Sequence, residues 1–156
     1  MKTAVAKKFP RRAFTLIEIM IVVAIIGLIA AMGIPSILQS LQKEGMRKAV
    51  SDTKDVLDDA RSHAILNNET TYVTFHPAEK TLESSGGKSA VLPDNVDIAM
   101  LDINLMDFSQ SDVSRVRFFP NGTCDELMLV LISGGERMKI TLEFSTAIAS
   151  SSPVTK

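Results

Sequence analysis

Aromatic residues and cysteines are scarce in this sequence, and each scarcity argues against a class of protein. There is no tryptophan, and there is one tyrosine among 156 residues. An aromatic platform for stacking single-stranded nucleic acid or sugars is therefore disfavoured. Cys124 is the one cysteine, so no disulfide can form within the chain.

Charges are also missing from long parts of the sequence. Acidic residues are absent from the first 17 positions, and no charged residue occurs between Ile19 and Gln42. Five basic residues precede Phe14, and without them the chain keeps 12 basic residues against 18 acidic ones. This balance argues against a protein that binds nucleic acid or an anionic membrane surface through general charge.

A basic segment followed by an apolar run is typical of a targeting segment, but Glu18 does not fit a simple one. One interpretation is a secretory signal cleaved near residues 30–31, and another is a twin-arginine signal with Arg11 and Arg12. Both leave Glu18 unexplained, since an unpaired carboxylate in lipid costs about 2.5 kcal/mol or more. The third interpretation is that Glu18 is functional and has a partner.

Residues 13–35, AFTLIEIMIVVAIIGLIAAMGIP, resemble the N-terminus of the type IV pilin and type II secretion pseudopilin superfamily. The resemblance implies that prepilin peptidase cuts between Ala13 and Phe14 and N-methylates Phe14. The family usually has glycine before the cut, where this sequence has Ala13. A new N-terminal amine would lie one helical turn, roughly 6 Å, from Glu18.

The same resemblance assigns roles to three further positions. It implies that Glu18 pairs with the N-terminal amine of a neighbouring subunit and so sets the stagger between subunits in a filament. Gly27 and Pro35 lie where family members commonly have a helix-weakening glycine and a proline. Pro35 removes a backbone hydrogen bond, so we expect a kink there.

The pattern predicts one long helix from about residue 14 to residue 66, stopped by Asn67-Asn68. We assign a cleaved leader to 1–13, a transmembrane or filament-core helix to 14–36, and an amphipathic continuation to 37–67. Pairs at i,i+4 are expected on the charged faces, at Lys48–Asp52 and Lys54–Asp58. The residues expected to pack on a domain are Leu38, Leu41, Gly45, Ala49, Val56, Ala60 and Ala64.

After residue 68 the hydrophobic period changes to two, which predicts an antiparallel β domain over 68–147. Asn121-Gly122 between apolar runs predicts a hairpin, and the turn at 133–135 predicts another. We predict a polar tail over 148–156 with little to bury. The expected fold class is α+β, a long N-terminal helix packed on an antiparallel sheet or a small β-sandwich.

The β domain is similar to that of H-type pseudopilins and FimT-like minor pilins. The similarity rests on Arg61-x-x-Ala64, the strand TYVTF, and residues 118–122, FFPNG. It implies a minor subunit of a type II secretion pseudopilus or a related pilus, anchored by a single pass in the bacterial inner membrane with a periplasmic domain. The implied partners are other pilins or pseudopilins, prepilin peptidase and the inner-membrane assembly platform.

Two other functions remain open: a minor pilin for DNA uptake, and a membrane-anchored periplasmic binding protein. DNA capture is disfavoured because Lys156 is the one charged side chain from Ser145 onward. Asp102, Asn104 and Asp107 lack the glycine and distal glutamate of an EF-hand loop. The two histidines and Cys124 are too scattered for zinc. We therefore predict no metal, no cofactor and no enzymatic activity.

Overall fold

The computed structural model describes residues 14–154, except the side chains at positions 32, 33, 35, 36, 38 and 39. The predicted leader, including Ala13, lies outside the described residues. Within the described range one helix precedes nine strands. The elements are α1 (Leu16–Asn67), β1 (Thr71–His76), β2 (Thr81–Ser84), β3 (Ser89–Val91), β4 (Asp97–Ile103), β5 (Met106–Asp107), β6 (Ser114–Phe118), β7 (Leu127–Ser133), β8 (Glu136–Leu142) and β9 (Ala149–Pro153).

The chain divides into two compact units, Met1–Leu38 and Gln39–Lys156. In the first unit every side chain from Phe14 to Ile29 is exposed. The helical assignment continues through Pro35, so the predicted long helix is confirmed, while the weakening roles of Gly27 and Pro35 stay predictions. Among the described residues, none of the helices combines the length and the hydrophobicity that a membrane crossing requires.

The second unit combines the remainder of α1 with two antiparallel sheets, which confirms the α+β fold class. The strand orders are β3-β2-β1-β6 and β5-β4-β7-β8-β9. One core cluster joins buried residues of α1, such as Val56 and Ala60, to buried residues of both sheets, such as Phe75 and Leu129. Asn68, at a φ of 54°, follows the helix, and Glu69 N–H donates to Ala64 O at 3.3 Å. These features end the helix at the predicted position.

The predicted stripe of α1 is mostly correct. Ala49, Val56, Ala60 and Ala64 are fully buried. Leu41 is 56 % exposed, so its place in the packed stripe is wrong. Three further residues of α1 are buried between the predicted positions: Met46, Thr53 and Leu57. The two sheets therefore cover a wider arc of the helix surface than the predicted stripe.

The expected ion pairs of α1 do not form. Neither Lys48–Asp52 nor Lys54–Asp58 is within ion-pair distance among the described residues, and Asp55 instead pairs with Lys88 at 3.6 Å. Exposed pairs of this kind contribute little free energy, so long side chains are not held in one geometry.

The turn predicted at Asn121-Gly122 is present, but the hairpin predicted from it is not. The turn forms, with Gly122 N–H donating to Phe119 O at 3.0 Å and Phe119 N–H donating to Thr123 O at 2.8 Å. After one bridge between Phe118 and Cys124, however, β6 and β7 separate into different sheets. The turn therefore carries the chain from one sheet to the other.

The predicted polar tail contains a strand, because residues 149–153 form β9. It pairs antiparallel with β8, from Leu142↔Ala149 to Met138↔Pro153. The chain beyond β8 thereby satisfies backbone groups that an open β8 edge would leave unpaired. Ala149 packs against the core, whereas three of the five residues of β9 are exposed.

Candidate assembly site

The N-terminal end of α1 has a specific local structure around Thr15 and Glu18. Glu18 N–H donates to Thr15 Oγ1 at 3.3 Å and to Thr15 O at 3.1 Å. Threonine followed three residues later by glutamate is the capping-box sequence, in which the hydroxyl accepts from the third helical N–H. A carboxylate in the first turn is also favoured by the helix dipole.

The structure therefore shows Thr15 as the cap of this helix end, with Glu18 at the third helical position. The signal was available, since the Thr-x-x-Glu spacing precedes an apolar run. Phe14 lies just before the first helical residue, Leu16, and both Phe14 and Glu18 are exposed. The processing role of Phe14 and the register role of Glu18 stay predictions.

Around this end the helix surface is apolar on every side. Phe14 is 77 % exposed and Leu16 is 79 % exposed. The same exposure extends over the large apolar residues Ile17, Ile19, Met20, Ile21, Val22, Val23, Ile25, Ile26, Leu28 and Ile29. A helix that is apolar all round needs cover from outside itself, by lipid or by other helices. Within the described part of the molecule, nothing covers this apolar surface.

Gly27 lies in the middle of this surface. A Cβ placed on it would meet nothing within 4 Å. No neighbour within the described chain therefore requires a glycine here. The residue either weakens the helix, as the resemblance implies, or allows close approach of something outside the chain.

A second group of polar residues lies where the chain passes between the two sheets. Asp125, which is 7 % exposed, accepts from Arg117 Nε at 2.8 Å and from Arg117 Nη2 at 2.9 Å. It also accepts from Arg117 N–H at 3.0 Å and from Asn104 Nδ2 at 3.1 Å. The guanidinium hydrogen bonds hold the pKa of Asp125 below its usual range despite burial, and Asp125 in turn raises the pKa of Arg117.

This cluster, Asn104, Arg117 and Asp125, ties the β4–β5 turn and strand β6 to the start of β7. All hydrogen-bonding positions of the carboxylate face protein groups, so the arrangement holds structure and leaves no free base. No sequence pattern predicts this cluster, since the three residues lie in separate elements.

The Arg61-x-x-Ala64 element fastens the end of α1 to the sheets. Arg61 Nε donates to Thr146 O at 2.9 Å, and Ala64 is fully buried. Thr71 Oγ1 donates to Ala60 O at 2.7 Å. The element that carried the H-type resemblance therefore has a packing role in this domain.

The candidate reactive residues are not assembled into a site. Burial raises the pKa of the Cys124 thiol to about 11, which keeps it protonated and unreactive. His63 hydrogen-bonds Asn67 at 3.2 Å on the helix. Within residues 14–154, no group of three or more His, Cys, Asp or Glu side chains is arranged to hold a metal ion.

Comparison with known proteins identifies the N-terminal region. The prokaryotic N-terminal methylation motif matches residues 8–34. The type II secretion system core protein G of Escherichia coli (strain K12) is 45% identical over 42 residues, which cover 27% of this chain and 29% of that protein. No solved structure matches the chain.

Two longer matches extend into the domain. A fimbrial protein of Pseudomonas aeruginosa is 36% identical over 97 residues, 56% of this chain and 62% of that protein. The type II secretion system core protein G of Pectobacterium carotovorum subsp. carotovorum is 29% identical over 86 residues, 55% of this chain and 52% of that protein. The chain thus spans between about a third and three fifths of the length of these relatives.

Neither the core protein G nor the fimbrial protein is named as an H-type subunit, so that finer assignment stays a prediction. The matched motif covers Ala13, Phe14, Glu18 and Gly27, whereas Pro35 lies just beyond it. The N-terminal region of this chain thus carries the prokaryotic N-terminal methylation motif and is similar to type II secretion core proteins G and to fimbrial proteins.

Proposed function

We propose that this protein is a structural subunit of a type II secretion pseudopilus or a related type IV pilus, assembled through its N-terminal helix. The observation that carries the proposal is the apolar surface from Phe14 to Ile29, exposed on every side and interrupted by one charged residue, Glu18. A structural subunit needs such a surface because the helices of neighbouring subunits cover it. The proposed role is assembly and support of protein secretion, without catalysis.

The proposed assembly pathway has two stages. The chain is first inserted in the inner membrane, with its second unit in the periplasm, and prepilin peptidase cuts between Ala13 and Phe14. The methylated subunit then passes through the assembly platform into the filament. Glu18 supports this order, since its cost in lipid falls once it has a partner amine in a helix bundle.

Processing is tested by the intact mass of the protein from membranes. We expect a chain that lacks residues 1–13 and carries one methyl group on Phe14. A mature N-terminus near Met32, as a secretory signal would leave, would contradict the proposal. Ala13→Gly should be processed at least as fast as the natural chain, whereas Ala13→Leu should block the cut.

The membrane-anchored binding protein is separated from this proposal by cross-linking. A filament subunit should cross-link to the other pilin-like proteins of its operon through residues near Phe14. An anchored monomer should show no such product, and it should not need a free N-terminus at Phe14. The DNA-uptake alternative predicts salt-dependent DNA binding, which the acidic balance of the processed chain disfavours.

A further inference from the structure

A cleft in the second unit lies between α1 and the outer strands of the five-stranded sheet. Its volume is about 570 Å³. The floor is apolar, formed by Met46, Val50 and Met138. Ser51 of the helix and Ser151 of β9 line opposite sides. The cleft therefore has one wall of helix and one wall of edge strand.

The rim of this cleft carries an excess of positive charge. Lys43, Arg47 and Lys54 line it from the helix, and Glu136 is the one acidic residue among the lining side chains. Positions 43, 47 and 54 share one face of an α-helix. Among the described residues none of the three cations makes an ion pair. The charges of this wall are available to an anionic ligand.

The other wall offers backbone hydrogen bonds. β9 ends the strand order of its sheet, so its outer edge is open in the described chain. Val154 N–H donates to Arg137 O at 3.0 Å, which fixes the alternation of the β8–β9 ladder. The N–H and C=O groups of Ala149 and Ser151 consequently point to the open edge. Ser151 thus presents its backbone to the edge and its side chain to the cleft.

The dimensions of the two walls agree. The helix rises about 17 Å from Lys43 to Lys54 at 1.5 Å per residue. About five residues of extended chain cover the same length, and β9 has 5 residues. Pro153, which has no N–H, limits the edge at its end.

We propose that this cleft, between Lys43–Lys54 of α1 and the edge of β9, binds an extended acidic segment of a partner protein, which adds to β9 as a further strand. The backbone of the segment pairs with Ala149 and Ser151. The carboxylates on the helix-facing side of the segment meet the three cations, and the alternate side chains point to the opposite face of the sheet. This inference goes beyond the filament role and does not depend on it, because every residue involved belongs to the second unit.

The test measures binding of a fluorescent (Glu-Val)4 peptide to the full chain in detergent by fluorescence anisotropy. The matched (Lys-Val)4 peptide should bind at least tenfold more weakly. A (Glu-Val)4 peptide with methylated backbone nitrogens should also lose at least tenfold, because it cannot complete the strand ladder. Raising the salt concentration from 50 to 500 mM should weaken binding of (Glu-Val)4.

Variants of the chain locate the site. Arg47→Glu combined with Lys54→Glu should weaken binding at least tenfold, while Lys48→Glu, on the same helix but outside the cleft, should change it less than twofold. Ser151→Pro removes the outward N–H and should weaken binding, while Ser151→Ala should not. Circular dichroism of each variant shows whether the fold is retained.

Four results would overturn the proposal. They are no binding of (Glu-Val)4 at all, equal losses in Lys48→Glu and the double variant, full binding of the N-methylated peptide, and equal effects of Ser151→Pro and Ser151→Ala. A fall in the bound fraction of peptide as the protein concentration rises would also overturn it, because a second copy of this chain would then occupy the cleft.

Discussion

At the scale of single residues, Glu18 has two physical explanations that variants can separate. One is the charge pairing that the superfamily resemblance implies, and the other is the capping-box sequence with Thr15, whose hydroxyl accepts from Glu18 N–H. Glutamine can replace glutamate in a capping box, but it carries no charge, so Glu18→Gln removes the charge and keeps the capping-box sequence. Thr15→Ala removes the capping hydroxyl and leaves the carboxylate in place.

We predict that Glu18→Gln fails to assemble although Thr15→Ala assembles. Loss of the carboxylate leaves a neighbour's amine unpaired in an apolar bundle, which costs roughly 3–5 kcal/mol, more than a hundredfold in partition. Loss of the cap costs about 1 kcal/mol of helix stability. Cross-linking to partner subunits measures incorporation, and both variants should still be cleaved before Phe14. Normal incorporation of Glu18→Gln would exclude the register role.

We expect Asp125 to stabilise the fold where the chain passes from one sheet to the other. Asp125→Ala leaves Asn104 Nδ2 and Arg117 N–H without their acceptor. We expect the free energy of unfolding to fall by about 2–3 kcal/mol, less than for a fully buried pair because Arg117 can be hydrated. The exposed neighbour Glu126 is the control, and Glu126→Ala should change stability by about 0.5 kcal/mol or less. Urea unfolding followed by circular dichroism measures both.

The lowered pKa of Asp125 also predicts a pH dependence. The folded chain holds this group ionised at a lower pH than the unfolded chain does. Its contribution to stability is therefore present above the ordinary pKa near 3.9 and is lost as the pH falls through the lower folded-state value. Asp125→Asn should flatten the decline in melting temperature below about pH 4. If the melting temperature of Asp125→Asn declines below pH 4 as steeply as that of the natural chain, other carboxyl groups cause the decline.

At the scale of secondary structure, the sequence predicts the elements better than their partners. The helix from Leu16 to Asn67 follows from hydrophobic periodicity and its asparagine stop. Strands such as β7, whose alternate residues are buried, follow from the period of two. Neither pattern contains information about which strands share a sheet, because alternation is local and pairing is set by the whole core.

The two errors in the β domain have this origin. Asn121-Gly122 forms a tight turn, but strands β6 and β7 belong to different sheets, so the local hairpin signal does not decide their pairing. The serines of β9 lack the composition of a strand, and they pair because β8 offers an open edge. The cluster of Arg117 and Asp125 could not be predicted either, since its contacts exist only after the two sheets are in place.

The β7–β8 hairpin, in contrast, was predicted from its turn and can be tested there. Ser133 pairs with Glu136, so the loop is Gly134-Gly135, with φ values of 56° and 88°. Two positive φ values match a type I′ turn, in which asparagine is accepted first and glycine second.

We predict that Gly134→Asn is neutral or slightly stabilising, since a Cβ there meets the side-chain end of Gln42, which can move. Gly135→Val should cost about 1–2 kcal/mol, because a β-branched residue does not tolerate positive φ. Thermal melts compare the two variants. Equal losses would show that crowding, and not backbone conformation, limits the turn.

At the scale of the whole molecule, the net charge of -1 hides an uneven distribution. The five basic residues before Phe14 offset an acidic remainder of 12 basic against 18 acidic residues. Removal of the proposed leader therefore changes the balance of the chain as well as its N-terminus. The mature chain then begins with a segment, residues 14–42, whose charges are the N-terminal amine and Glu18. An acidic domain follows this segment.

The two units should also differ in their need for partners. The second unit contains the whole core cluster, from Met46 of the helix to Ala147 after β8. The described residues of the first unit from Phe14 to Ile29 are exposed and apolar, apart from Thr15, Glu18 and Gly27. Burial of that surface has a favourable free energy of roughly 25 cal/mol per Å². The first unit therefore supplies the drive for association, and the second unit supplies the folded domain.

Deleting residues 1–38 should consequently give a soluble, monomeric and folded domain. We expect a circular dichroism spectrum with strong β-structure and a smaller helical part from residues 39–67, and a single cooperative melt. Reducing agents should leave the melting temperature unchanged, because Cys124 has no partner cysteine. The full chain without detergent is the control and should aggregate through its apolar helix. Aggregation of the truncated chain, or a mostly helical spectrum, would show that the domain needs residues 1–38 to fold. A soluble full chain that remains monomeric at high concentration would instead contradict the proposed drive for filament assembly, since its exposed apolar surface would then need no cover.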